Sequence, residues 1–291
     1  MRTVSWQALA RFDYGGNTGA LLVVYAVEGF LRRLAASEDA TRMTLKDGVL
    51  MAATAARRMT KDADLSTTGL ANDEARIAEV VGRIATIVLD GGDGLIFDAT
   101  TIRTEVLRED AEHHGIRAKL ESRLATARIP TTIDFSFGDP HRWVIIDLPE
   151  LLGTGTIRLA SFPPEMTLAE RIVAMMTRRE LNARDRDFAD IWVISQTRTL
   201  VANDLRSAIT EVADHRRQSV LSLADALTEM PDRQTAYVSM LERMGYQWLP
   251  PQQWRDLLRD IVEFVDRLVA DIEGRLDFWD PQAARWHPLP R

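Results

Sequence analysis

Cysteine is absent from the 291 residues, and that one absence removes several chemistries. No disulfide framework, thiolate metal site or cysteine nucleophile can be built. Long apolar runs are also missing. The most apolar stretch, residues 19–30, contains Glu28 and falls short of the roughly 18 or more apolar residues of a membrane helix. The N-terminus has one Arg and no long apolar segment before a small-residue cleavage site, so no signal peptide and a cytoplasmic location are expected. Histidine is sparse: the five are scattered, none at the spacing of a metal pair. No internal repeat or low-complexity tract is found. Neither charge sign dominates, with 43 acidic against 36 basic side chains and a net charge of −7. That balance argues weakly against a protein that coats nucleic acid, and says nothing about a local basic patch.

The 46% hydrophobic and 27% charged fractions are those of an ordinary globular protein. Helical spacing of Leu21, Val24, Tyr25, Leu31 and Leu34 predicts a helix ending near Ser37. Met43 to Leu45 reads as a short strand ending at Gly48, and residues 49–56 as a helix. Asp62-Ala63-Asp64-Leu65-Ser66 alternates as a half-buried strand does. Ile77, Val80, Val81, Ile84, Ile87 and Val88 predict a helix broken by the turn Gly91-Gly92-Asp93-Gly94. Strands over Thr101 to Leu107, Ile116 to Leu124 and Ile129 to Phe137 follow, connected as an antiparallel meander. Past Pro163-Pro164 the pattern turns helical. Thr167-x-x-Glu170 reads as a capping box opening a helix to about Arg179. Further helices are expected over Asp187 to Ser195, 202–230 and 233–245. A last one carries Trp254, Leu257, Leu258, Ile261, Val265, Leu268 and Ile272 on one face. Trp143, Trp192 and Trp254 are expected in the core. The organisation expected is an α+β core over 1–160 and a mainly helical part over 161–291.

Several residues suggest chemistry. Asp62 and Asp64, two apart on a strand, point the same way about 6–7 Å apart. Two such carboxylates can share one or two Mg²⁺ (or Mn²⁺) ions, which take hard oxygen ligands and leave room for substrate phosphates. The competing reading is a solvated edge strand. Asp134 sits in mid-strand, where Asp is depleted; it is either a third metal carboxylate or a solvent-facing neighbour of Thr132 and Ser136. Arg171 falls between Leu168 and Met175 at helical spacing, toward the apolar stripe. A charge there needs a partner or an anion, unless it snorkels at the stripe's edge. Asp187 lies on the Ile191 side of its helix and is a candidate partner. Arg178, Arg179, Arg184 and Arg186, with Arg57, Arg58 and Lys61, form either a cationic rim for phosphates or a solvated face.

Blocks of this sequence, in order, resemble one family. Glu28-Gly-Phe-Leu-Arg-Arg-Leu34, Leu45-Lys-Asp-Gly-Val-Leu50 and Arg58-Met-Thr-Lys-Asp-Ala-Asp-Leu65 look like the opening of the AbiEii/AbiGii toxins. Ile116-Arg117, Thr132-Ile-Asp-Phe-Ser-Phe-Gly-Asp139, Ala169-Glu-Arg171 and Asn182-Ala-Arg-Asp-Arg-Asp-Phe-Ala-Asp-Ile-Trp192 are similar to later blocks. The resemblance covers roughly residues 20–195.

The resemblance implies a nucleotidyltransferase-like mixed sheet with helices, and the toxin of a two-gene toxin–antitoxin system neutralised by a cognate antitoxin. It implies an enzyme using NTP and Mg²⁺ to add nucleotides to RNA, with the tRNA 3′ end as acceptor in some members. Thr60, Asp62 and Asp64 match its S/T-x-D-x-D motif, and Asp134 its third strand carboxylate. Lys46, Gly48, Thr60 and Arg171 would contact the nucleotide. Arg171 stands where the family usually has lysine, and Asp187 matches the aspartate of its Arg-x-x-Asp block. Asp47-Gly48 replaces a Gly-Gly. A carboxylate there opposes phosphate unless turned away, and Arg171 changes shape and hydration at constant charge. Both departures leave room for transfer to protein, or for a fold relative that binds nucleotide or antitoxin without turnover.

Overall fold

Residues 18–46, 61–108, 114–140, 142–150, 155–178, 184–244 and 250–289 are described by a computed structural model of the protein. Among them, one unit takes the residues up to Asp139 and Trp143–Ser161. A second takes Pro140, Arg142 and everything from Phe162. The helix expected over 49–56 lies outside the described residues.

In the first unit, helix α1 (Thr18–Ala35) buries Leu21, Val24, Phe30, Leu31 and Leu34, with Arg32 and Arg33 in its last turn, where cations suit the helix dipole. Strand β1 (Met43–Lys46) and strand β2 (Asp62–Thr67) follow. Helix α2 (Glu74–Ala85) starts at Asp73, whose side chain accepts from the Arg76 amide. It ends before Ile87 and Val88; Val88 is 91% exposed and not part of the buried face. Strands β3 (Leu95–Arg108), β4 (His114–Leu124) and β5 (Ala127–Phe137) form the antiparallel meander, β3 beginning six residues earlier than periodicity suggests. Two further strands, β6 (Val144–Pro149) and β7 (Thr156–Ser161), were not anticipated.

These strands make one seven-stranded sheet of order β3-β4-β5-β2-β1-β7-β6. The β5–β2 and β1–β7 pairs are parallel and the others antiparallel. Helix α1 packs on β5, β2 and β7, and α2 on β3 and β4. Period-two alternation sends Leu45, Ala63, Leu65, Ile116, Ala118, Ile133 and Phe135 under the helices with essentially no exposure. Each large side chain so buried contributes about 1.5–3 kcal/mol. The alternate residues line the opposite face.

The Gly91–Gly94 turn is more than a break. Gly91, Gly92 and Gly94 adopt positive φ, which only glycine does cheaply. They deliver Asp93 to Arg33, which donates from Nη1 and Nη2 at 2.6 and 3.0 Å. Burial alone would raise the Asp93 carboxyl, but hydrogen bonds from Arg33 and the Leu95 amide and the charges of Arg33 and Arg32 together hold it below the usual range.

The second unit holds helices α3 (Pro164–Arg178), α4 (Asp185–Thr197), α5 (Ala202–His215), α6 (Leu223–Ala226), α7 (Gln234–Met244) and α8 (Trp254–Val269). Helix α3 starts at Pro164, a residue suited to a first turn. The Met166 and Thr167 amides already donate to Pro163 O at 3.0 and 3.2 Å. Thr167 is therefore inside the helix and buried, and the capping-box reading fails. Ile272 lies beyond α8 and is 93% exposed. Strands β8 (Leu200–Val201), β9 (Leu276–Asp280) and β10 (Arg285–Pro288) add a small antiparallel sheet unannounced by the helical pattern. Trp254 is buried against Phe188 and Tyr237. Trp192 is half-buried and donates to Asp260 at 3.2 Å. Trp143 is 56% exposed, not core.

Candidate active site

On the face of the large sheet opposite α1 and α2, four charged side chains stand in one row across four strands. Lys46 on β1 pairs in register with Asp64 on β2, Asp64 with Asp134 on β5, and Asp134 with Arg117 on β4. Neighbouring strands lie about 4.8 Å apart, so two carboxylates sit side by side between two cations. Asp62, two residues before Asp64, shares its face of β2. Both aspartates are half-buried. The row exists because each strand alternates: Leu45 before Lys46, Ala63 and Leu65 around Asp64, Ile133 and Phe135 around Asp134, and Ile116 and Ala118 around Arg117 point into the core and fix the direction of each charge.

At one end of the row, Arg117 donates from Nε and Nη2 to the two oxygens of Asp134 at 2.7 and 2.6 Å. Hydrogen bonding to Asp134 pushes the guanidinium pKa further up against the effect of burial, and the Asp62 charge adds to it. At the other end, Lys46 is buried. Its Nζ donates to Asp139 Oδ2 at 3.1 Å and lies 3.4 Å from Ser136 Oγ, while Ser136 donates to the same Asp139 oxygen. Burial would raise the Asp139 carboxyl. The Lys46 charge and hydrogen bonds from Ser136, Ser66 and Lys46 together hold it below its ordinary value.

The other residues singled out in the sequence are placed as follows. Gly48, Thr60, Arg57, Arg58 and Arg179, and Asp47 with them, lie outside the described residues. Lys61 is exposed just before β2. In the second unit Arg178 is half-buried at the end of α3, and Arg184 and Arg186 are exposed at the start of α4. Arg171 is buried on α3, and its Nε and Nη2 donate to Asp190 Oδ2 on α4 at 3.3 and 3.1 Å. Its Nη1 donates to Thr167 O at 3.2 Å. Asp187, one turn before Asp190, is buried in the first turn of α4.

Among the described residues, no three His, Cys, Asp or Glu side chains are gathered as a metal-binding set. The donor chemistry of Asp62 and Asp64 nevertheless fits a hard divalent cation: two carboxylates on one face of one strand, neither sealed from solvent. Asp134 adds a third adjacent carboxylate whose oxygens Arg117 engages.

Sequence reasoning passed over Arg117 and Asp139 as site residues. Their parity was visible: Arg117 alternates with Ile116 and Ala118, and Asp139 follows the strand that carries Asp134 and Ser136. What was not visible was register, which depends on pairing between distant segments.

A family model described as nucleotidyl transferase AbiEii toxin, type IV TA system, matches residues 29–280. No curated protein matches the sequence. Among solved structures, the chain is similar to a putative nucleotidyltransferase from H. pylori, at 13% identity over 92% of this chain and 98% of that one, TM-score 0.49. JHP933 from Helicobacter pylori matches at 13% identity over 94% and 99%, TM-score 0.47. An antigenic nucleotidyltransferase-like protein from Paracoccidioides brasiliensis matches at 14% identity over 72% and 93%, TM-score 0.36.

Proposed function

The chain belongs to the AbiEii nucleotidyl transferase toxin family of type IV toxin–antitoxin systems, and from that premise we propose that it transfers nucleotides from an NTP to RNA, with the 3′ end of tRNA as acceptor. It is a nucleotidyltransferase, and its family implies a cognate antitoxin. Among the described residues no helix is long and apolar enough to cross a membrane. The observation that carries the reading is the juxtaposition of Asp62, Asp64 and Asp134 on one sheet face.

In the proposed reaction the acceptor hydroxyl oxygen bonds to the α-phosphorus, the bond from that phosphorus to pyrophosphate breaks, and the hydroxyl proton is lost to water. Asp62 and Asp64 would hold Mg²⁺ (or Mn²⁺), with Asp134 as the third carboxylate. The ion supplies charge neutralisation to the triphosphate and the leaving pyrophosphate. Lys46, anchored by Asp139 and Ser136, offers a compact positive charge to a phosphate. Gly48 and Thr60 would line the phosphates. Lys61, exposed just before β2, would meet the RNA backbone.

The test is transfer of label from α-labelled NTPs to total RNA, followed by sequencing of tRNA 3′ ends, with Asp62→Ala as control. Extended tRNA 3′ ends from the wild type alone support the reading. Equal label from the variant removes the site assignment, and label on protein that survives RNase removes the RNA acceptor.

A further inference from the structure

Arg117 has no part in the chemistry described so far, yet its guanidinium engages both oxygens of Asp134. A carboxylate that accepts a two-pronged fork has its best-directed lone pairs occupied. The pair is not sealed in. Its side chains retain 31% and 15% exposure for Arg117 and Asp134, so it can exchange partners. Its place is set by register: Arg117 opposite Asp134, and Asp134 beside Asp64. Two carboxylates side by side repel, and a cation on their flank offsets that repulsion.

A divalent cation held by Asp62 and Asp64 would relieve the same repulsion from the other side. It would also draw on the same Asp134 oxygens, beside a fixed positive guanidinium. We propose that Arg117 is a positioning residue that competes with the divalent cation for Asp134. While the fork holds, the cation is bound by Asp62 and Asp64; Asp134 joins them when Arg117 lets go. This rests on the reading of Asp62 and Asp64 as metal carboxylates. Lys119, on the same face of β4, does not do this job, because it is paired with Glu105 on β3 at 2.7 Å.

The experiment is Mn²⁺ titration of the full chain without nucleotide, followed by electron paramagnetic resonance, with thermal unfolding confirming that each variant is folded. Arg117→Ala frees Asp134 and should bind Mn²⁺ about tenfold tighter or more, equivalent to about 1.4 kcal/mol. Arg117→Lys keeps the charge and loses the fork, so it too should bind tighter than wild type, by less. The double variant Arg117→Ala/Asp134→Ala should return to the wild-type affinity. The proposal is overturned if Arg117→Ala binds no tighter. It is equally overturned if Arg117→Ala tightens while Arg117→Lys stays at the wild-type value, for then only net charge matters. Asp62→Ala separates the two levels. Loss of Mn²⁺ binding there with no response at Arg117 sinks the competition alone. Unchanged binding in Asp62→Ala sinks the carboxylate site and the competition with it.

Discussion

Each unit contains an arginine–aspartate pair, and the two pairs differ in what surrounds them. Arg171 and Asp190 join two packed helices, with side-chain exposures of 5% and 0%. Arg117 and Asp134 join two strands of the large sheet, at 31% and 15%. Burying two charges is costly, and the mutual attraction offsets that cost only while both partners are present. The helix pair is therefore a fixed joint. The strand pair keeps water as an alternative partner, so it can be exchanged for a cation or a substrate group. Identical chemistry serves stability in one setting and is open to function in the other.

The comparison can be broken by substitutions, and the largest effect is expected in the helical unit. Asp190→Ala removes the carboxylate to which Arg171 donates from Nε and Nη2 and should lower stability by about 3–5 kcal/mol, read by urea unfolding. Asp62→Ala on the sheet face should change stability by less than about 1 kcal/mol while lowering nucleotidyl transfer about 100-fold or more. An equal loss of stability in both variants would erase the distinction.

An intermediate case lies at the other end of the charged row. Lys46→Met leaves the half-buried Asp139 without its main counter-charge and should cost about 1–3 kcal/mol. The sign of its pH dependence follows from the lowered Asp139 carboxyl. A depressed folded-state value stabilises the fold above the unfolded value of about 3.9, and the contribution disappears as pH falls through the folded-state value. Removing Lys46 should move the acid unfolding midpoint to higher pH, measured by circular dichroism.

The smallest effect is expected at Glu165 on α3. Burial raises its carboxyl above the ordinary value, and Asp204 adds to the shift while Arg142 opposes it. A raised folded-state value gives stability that is complete below the unfolded value and is lost as pH rises through the folded one. Glu165→Gln should therefore raise the melting temperature slightly at neutral pH, with the gain vanishing in acid.

The sheet face was legible in sequence because alternation is local: Asp62 and Asp64 flank Ala63, and Asp134 lies between Ile133 and Phe135. Helices α1 and α8 announced themselves through apolar spacing, although Val88 and Ile272 show that a periodic pattern does not fix where a helix stops. Strands β6 and β7 were silent. The first is largely exposed in the edge position, and its Val-Ile-Ile run has no alternation to mark it. Arg117 was silent for a different reason. Its meaning comes from facing Asp134 across a strand pair, which no window of neighbouring residues contains. Arg171 was identified as a charge needing a partner, but both Asp187 and Asp190 lay within one turn. Packing of α3 on α4 gives its Nε and Nη2 to Asp190.

The central claim is that the carboxylates of β2 perform nucleotidyl transfer. The most direct measurement compares wild type and Asp62→Ala, at matched folded concentration, for label transferred from α-labelled NTP to RNA with added Mg²⁺. The account predicts tRNA extended at its 3′ end by the wild type and about 100-fold less product from the variant. Equal product from both would contradict it.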